Sequence, residues 1–285
     1  MKNALLTIVV VVLIAIIAAG IITVMKDSNG SSESYDNNEV RGELYFTVTD
    51  DTADIQSVNE ISLQIKKIEI HNETRGWVTA SSGSKSYDLL SLKANGQTKI
   101  YSAGRVMAGT YDRARITLGN VIVDHKTKGK VEAVLPSNEI VFNTKINVKA
   151  NSSSNVTLDF LADKSLHSSA EGKYVFAAVV NAESRSDTNV EVKSNDEVIV
   201  SGGSIDSKVS VGVDLTGQTK INFQLDSSAG LKVEESLLGG VKFMLGGQTY
   251  MKVGAEATST NDESNIIEVD LGGSSNTEGG IKLGY

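Results

Sequence analysis

The chain has 285 residues, 35 acidic and 27 basic side chains, a net charge of −8 and no cysteine. Without cysteine there are no disulfides, no thiol nucleophile, no Cys-ligated zinc and no lipid anchored through a cysteine. The acidic balance speaks against nucleic acid as a partner, and the fold must rest on a hydrophobic core, for which the length suffices.

The first element is Ala4 to Met25, ALLTIVVVVLIAIIAAGIITVM, which carries no charge. As a helix it would reach about 33 Å, enough to span a hydrocarbon core. Basic residues near it are nearly balanced, Lys2 before and Lys26 after, so the positive-inside rule votes weakly. The short leader favours the N-terminus inside and the bulk of the chain outside. The expectation is a single-pass anchor over residues 1–26 in the cell membrane. A cleaved signal peptide is the rival. Ala18-Ala19-Gly20 offers small residues for cleavage, but Ile21 to Met25 continues the apolar run beyond the usual ~7–15 residues. Residues 27–40, including SNGSSESYDNN, read as a flexible tether.

From Arg41 the period is two. Leu44, Phe46 and Val48 alternate with Tyr45 and Thr47, and Ile61, Leu63 and Ile65 with Ser62 and Gln64. The same pattern holds for Ile140 to Val148, Val156 to Phe160 and Val209 to Leu215. Such alternation marks half-buried antiparallel strands. Lys66 and Lys67 together break the phase before Ile68 and Ile70, and a β-bulge there would keep both isoleucines on the core face. Ser86 to Lys93 reads as a short turn. Gly-Gln-Thr at Gly96, Gly217 and Gly247 reads as hairpin or strand-entry punctuation.

Charge then divides the chain. Arg41 to Ser186 has 18 basic and 16 acidic residues, net +2, whereas Asp187 to Tyr285 has 7 basic and 15 acidic, net −8. The polar stretch SRSDTNVEVKSNDE, residues 184–197, reads as a boundary. The fold class is therefore all-β. A β-sandwich over residues 41–186, with Leu44, Phe46, Leu63, Ile65, Phe142, Leu158 and Phe160 inside, precedes a smaller acidic β-domain over 187–285.

Ordered short motifs carry a resemblance. Gly42 with Val48-Thr49-Asp50 is followed by Ile70-His71, Gly76-Trp77, Tyr87-Asp88-Leu89-Leu90 and Ala108-Gly109-Thr110-Tyr111. Leu135-Pro136-Ser137, Thr157-Leu158-Asp159-Phe160 and Gly172-Lys173-Tyr174 complete the series. From about Arg41 to Glu183 the chain resembles a prokaryotic exported family known as domain of unknown function 4382. The resemblance implies an extracellular, immunoglobulin- or prealbumin-like β-sandwich, often lipid-anchored, with no assigned activity. The chain departs by lacking the lipid-bearing cysteine, whose place the apolar run takes, and by Thr52 where the family often has proline.

Residues able to carry chemistry are few. His71, His125 and His167 are far apart, without a nucleophile elbow or a His-x-x-x-His pair, and read as surface or packing side chains. Asp50, Asp51 and Asp54 crowd one loop, which reads either as a calcium site or as a solvated turn capped by Asp54. N-x-S/T sequons at Asn29, Asn72, Asn151 and Asn155 are candidate glycosylation sites. Trp77, the sole tryptophan, is expected in the core. The chain is thus expected to be a surface protein with a binding or structural role in the cell envelope. It would partner an envelope protein or glycan, with no cofactor beyond possible calcium and no catalysis. One alternative is a pilin-like filament subunit that assembles through Leu5 to Val24. Another is a surface hydrolase. The sequence does not set the oligomeric state.

Overall fold

A computed structural model describes residues 40–51, 55–235 and 240–252, all within one compact unit. The anchor, nearly all of the tether, Thr52, Asp54 and Asn29 lie outside these residues.

The alternating segments form strands in two sheets. The first contains β1 (Arg41–Thr49), β4 (Lys99–Met107), β8 (Ser153–Phe160), β11 (Val179–Val192), β12 (Val198–Val213) and β13 (Thr219–Ile221). Their order is β13-β12-β11-β8-β1-β4, with β1 and β8 parallel and the other pairs antiparallel. The second sheet contains β2 (Val58–Asn72), β3 (Gly76–Asp88), β5 (Gly109–His125), β6 (Gly129–Glu132) and β7 (Glu139–Val148). It is ordered β3-β2-β5, with β6 and β7 both paired to β5.

Inward residues of both sheets make one core. Leu44, Phe46, Leu63, Ile65, Phe142, Leu158 and Phe160 are all at most 4% exposed. The break at Lys66 is a bulge: register shifts against both neighbours of β2 between Ile65 and Lys67. Ile65 and Ile68 consequently both face the core. The expected turn near Ser86 is the short helix α1 (Leu89–Asn95). Gly96 closes it with φ +57°, its N–H donating to the carbonyl of Lys93 at 3.1 Å, a left-handed cap that glycine adopts without steric cost. Strand β4 begins three residues beyond Gly96 and β13 two beyond Gly217, so these glycines do punctuate strand entry. The third, Gly247, turns β15 (Val241–Leu245) into β16 (Gln248–Lys252).

The boundary expected at residue 187 falls inside β11, and is corrected. The β11–β12 hairpin continues the first sheet, and Val211 and Val213 belong to the main core. The polar stretch is the outer part of this hairpin, with residues 191–196 exposed. Although β12 and β4 lie toward opposite flanks of the sheet, the hairpin tip binds the start of β4. Ile100 N–H donates to Asp196 at 2.9 Å and Val198 N–H to Thr98 at 2.8 Å, so the sheet coils until its flanks meet.

A satellite core exists, though it is not a separate domain. Strand β9 (Leu166–Ser168), which follows the one-turn helix α2 (Ala162–Ser165), pairs with β10 (Tyr174–Phe176). Around β10, Tyr174, Phe176 and Ala178 face the main core. Val175 and Ala177 join Leu215, Leu225, Leu231, Val233 and Phe243 in the smaller one. That cluster carries the sheet of β14 (Lys232–Glu235), β15 and β16.

Candidate functional site

The outer face of the second sheet gathers the aromatic, guanidinium and imidazole groups that sequence reading kept apart. Pairing makes Trp77, His71, Arg113 and Asn143 neighbours in one row across β3, β2, β5 and β7. Thr79, Glu69, Arg115 and Val141 form the next. The row between, Val78, Ile70, Ala114 and Phe142, points inward, so the pleat sends the named residues outward.

Trp77 is half-buried and outside the core, which corrects its expected placement. The Arg115 guanidinium stacks on its ring, 4.1 Å from the centroid, with that of Arg113 at 5.5 Å, a favourable cation–π geometry. His71 meets the ring edge-on at 5.2 Å. Glu69 is 3.1 Å from Lys67 and 3.5 Å from Arg115, with only 12% of its side chain exposed. The Nε of Arg115 is sealed from solvent without a hydrogen bond. Glu69 thus pairs with the guanidinium that stacks on the indole, while Trp77 keeps part of its surface exposed.

His71 Nδ1–H donates to Asp112 at 2.7 Å. Arg113 Nη2 lies almost equally far from the two ring nitrogens, 3.1 Å from Nδ1 and 3.0 Å from Nε2. The hydrogen bond from His71, with a contribution from Arg113, holds the Asp112 carboxyl below its ordinary value despite some desolvation. The imidazole is thus packed between the Asp112 carboxylate and the Arg113 guanidinium. Arg113, whose side chain is 39% exposed, touches His71 and lies 3.6 Å from Asp112.

Most other sequence candidates do structural work. Asp50 is 1% exposed and accepts from Ala162 N–H at 3.3 Å, at the start of α2. Asp51 is exposed, and its N–H donates to Asp159 at 3.0 Å. Burial raises the Asp159 carboxyl pKa. Among the described residues no three His, Asp or Glu side chains group to hold a metal. Asn155 is 1% exposed and donates to the Thr157 hydroxyl at 2.8 Å. Asn72 caps the β2–β3 turn, accepting from Thr74 N–H and donating to the Thr110 carbonyl. Asn151 is exposed in the β7–β8 turn with φ +52°. His125 accepts from the N–H groups of Thr127 and Lys128. His167 is 7% exposed with Nδ1 3.1 Å from the Ser227 hydroxyl, and burial lowers its pKa. Among the described residues, hollows lie between Glu139 and Gln218 and around Lys66, Asn120 and Glu132; neither includes a histidine.

The class defined so far is an all-β protein of several sheets with an aromatic–guanidinium surface. Residues 41–178 match the family model described as Domain of unknown function (DUF4382), so the resemblance holds over that stretch. The match stops just before β11, although β11 to β13 complete the same sheet. No curated protein and no solved structure matches the chain. Among the described residues no helix is long and apolar enough to cross a membrane.

Proposed function

We propose that this chain is a single-pass cell-envelope protein, held by residues 4–25, whose extracellular β-sandwich binds a surface partner and catalyses no reaction. The sandwich is assigned an immunoglobulin- or prealbumin-like arrangement. One observation carries the binding role: Trp77 stands half-buried on the outer sheet face, with the guanidinium groups of Arg115 and Arg113 over its ring. A sole tryptophan is costly to leave at the surface unless something covers it, since its ring supplies a large contact area at low conformational cost. The uncharged run Ala4 to Met25 supports the anchor.

Protease treatment of intact cells, combined with alkaline carbonate extraction of their membranes, tests this. The expected result is release of a soluble β-rich fragment from the cell surface, with the uncut chain resisting extraction. Full-length chain protected inside intact cells, or a mature protein in the medium beginning after residue 20, would overturn it. Ordered filaments containing residues 4–25, seen by electron microscopy, would replace it with the pilin-like reading.

A further inference from the structure

We propose that the Trp77 face binds an acidic polysaccharide, seating one uronate ring on the indole with its carboxylate on Arg113. The inference rests on the binding role above and names its ligand class.

The face has the parts that such a ring requires. A pyranose presents an apolar C–H surface bounded by hydroxyls, and the half-buried Trp77 puts a flat apolar ring of matching kind on the outer sheet face. Polar groups surround it: exposed Thr79 and Asn143 continue the two rows and can exchange hydrogen bonds with hydroxyls. Arg113 supplies the charge selection. A guanidinium stays protonated and presents a planar fork that matches a carboxylate. The Asp112–His71 pair holds this one in place.

Charge agrees with the assignment. Lys67, Arg113 and Arg115 face Glu69 and Asp112, a local excess of one positive charge in a chain of net −8. Both acids are already engaged. Glu69 pairs with Lys67 and Arg115, and Asp112 is bonded to His71 and lies 3.6 Å from Arg113. Acidic Glu139 lies one row further along β7, opposite Thr117.

A protein partner fits less well. Stable protein interfaces bury roughly 800 Å² per side around apolar anchors. Among the exposed large aliphatic side chains only Val141, at 37%, belongs to these rows.

The sole tryptophan makes the test direct. Full-length protein in detergent is titrated with tetragalacturonate and, separately, with neutral galactotetraose, reading Trp77 emission. The expected result is a saturable change with tetragalacturonate, at least tenfold weaker with the neutral sugar, and weakened by added salt. Arg113→Gln should weaken tetragalacturonate binding about tenfold with an unchanged unfolding midpoint. Trp77→Ala, followed by calorimetry after circular dichroism confirms folding, should abolish binding. Equal binding of both sugars, or Arg113→Gln binding like the parent, would overturn the acid assignment while leaving the surface role intact. So would no saturable signal at millimolar tetragalacturonate. Failure of the localisation test would strike the envelope reading alone, because this titration uses purified protein.

Discussion

Replacing Val211 and Val213 together by alanine tests whether the chain beyond residue 187 shares a core with the first half. Both valines are buried, at 0% and 1% exposure, in the cluster that also holds Phe46, Ile65 and Phe142. Each substitution deletes two methyl groups at about 0.8 kcal/mol apiece, plus a cavity term, giving about 2 kcal/mol per site. The sites are neighbours on one face of β12 and will couple, so the pair should cost roughly 3–4 kcal/mol. For a domain of this size that lowers the melting temperature by about 6–16 °C. The assay is thermal unfolding followed by far-ultraviolet circular dichroism and by Trp77 emission. Trp77 sits on β3 in the other sheet, so it reports on the variant only if the sheets unfold together. Both probes should shift down by the same amount, and Ile221→Ala, at a site 67% exposed, should leave both in place. If Trp77 unfolds at its original midpoint while part of the dichroism signal melts early, the two halves are independent and the single-core reasoning fails.

Gly42→Ala would put a Cβ 2.1 Å from the Lys149 carbonyl oxygen and 2.7 Å from Val148 Cγ1; a loss of about 1–3 kcal/mol or more should appear in the urea midpoint, and an unchanged midpoint would mean that the β1–β7 approach is loose. His167 should make the protein acid-sensitive. Burial puts its folded pKa below the ordinary 6.5, so the unfolded chain binds the proton first and stability falls as pH drops through that value, the sign set by linkage. The nearby Asp226 carboxylate opposes the shift, and His167→Gln should flatten the stability profile below pH 6.5. Peptide mapping of exported protein should find Asn151, which is exposed, open to glycosylation and Asn155 unmodified; a modified Asn155 in folded protein would contradict its burial.

What was legible in the sequence was parity. Ile61 to Ile70 announced both the core face and the bulge, because a slipped phase in a half-buried strand has few physical remedies. The boundary at residue 187 was misread because polarity signals exposure, and a linker shares it with a hairpin arm solvated on both sides. Pairing of Val192 with Val198, which decides between them, is a fact of backbone geometry that composition does not hold. Trp77 was misplaced by size. Its register carried the answer: the turn at Asn72 to Gly76 sets Trp77 opposite His71, one residue out of phase with buried Ile70. The partners Arg113 and Arg115 lie on a third strand, and no local signal ties β5 to β3.

The same irregularity that keeps the core apolar also charges the outer face. In a regular strand, core residues recur at every second position, and each outward position between them holds one side chain. Ile65 and Ile68 are both buried with Lys66 and Lys67 between them. Tyr111 and Ala114 are both buried with Asp112 and Arg113 between them. Pairing slips at both places. Each slip doubles the outward residues at one point, and one of the two sets the acid beside the histidine that orients Arg113. A regular β5 would keep either Asp112 or Arg113 outward and bury the other, and a buried unpaired charge costs several kcal/mol. The surface network and the core are therefore set by one register, which is why the platform can be precise although none of its residues is buried in the main core.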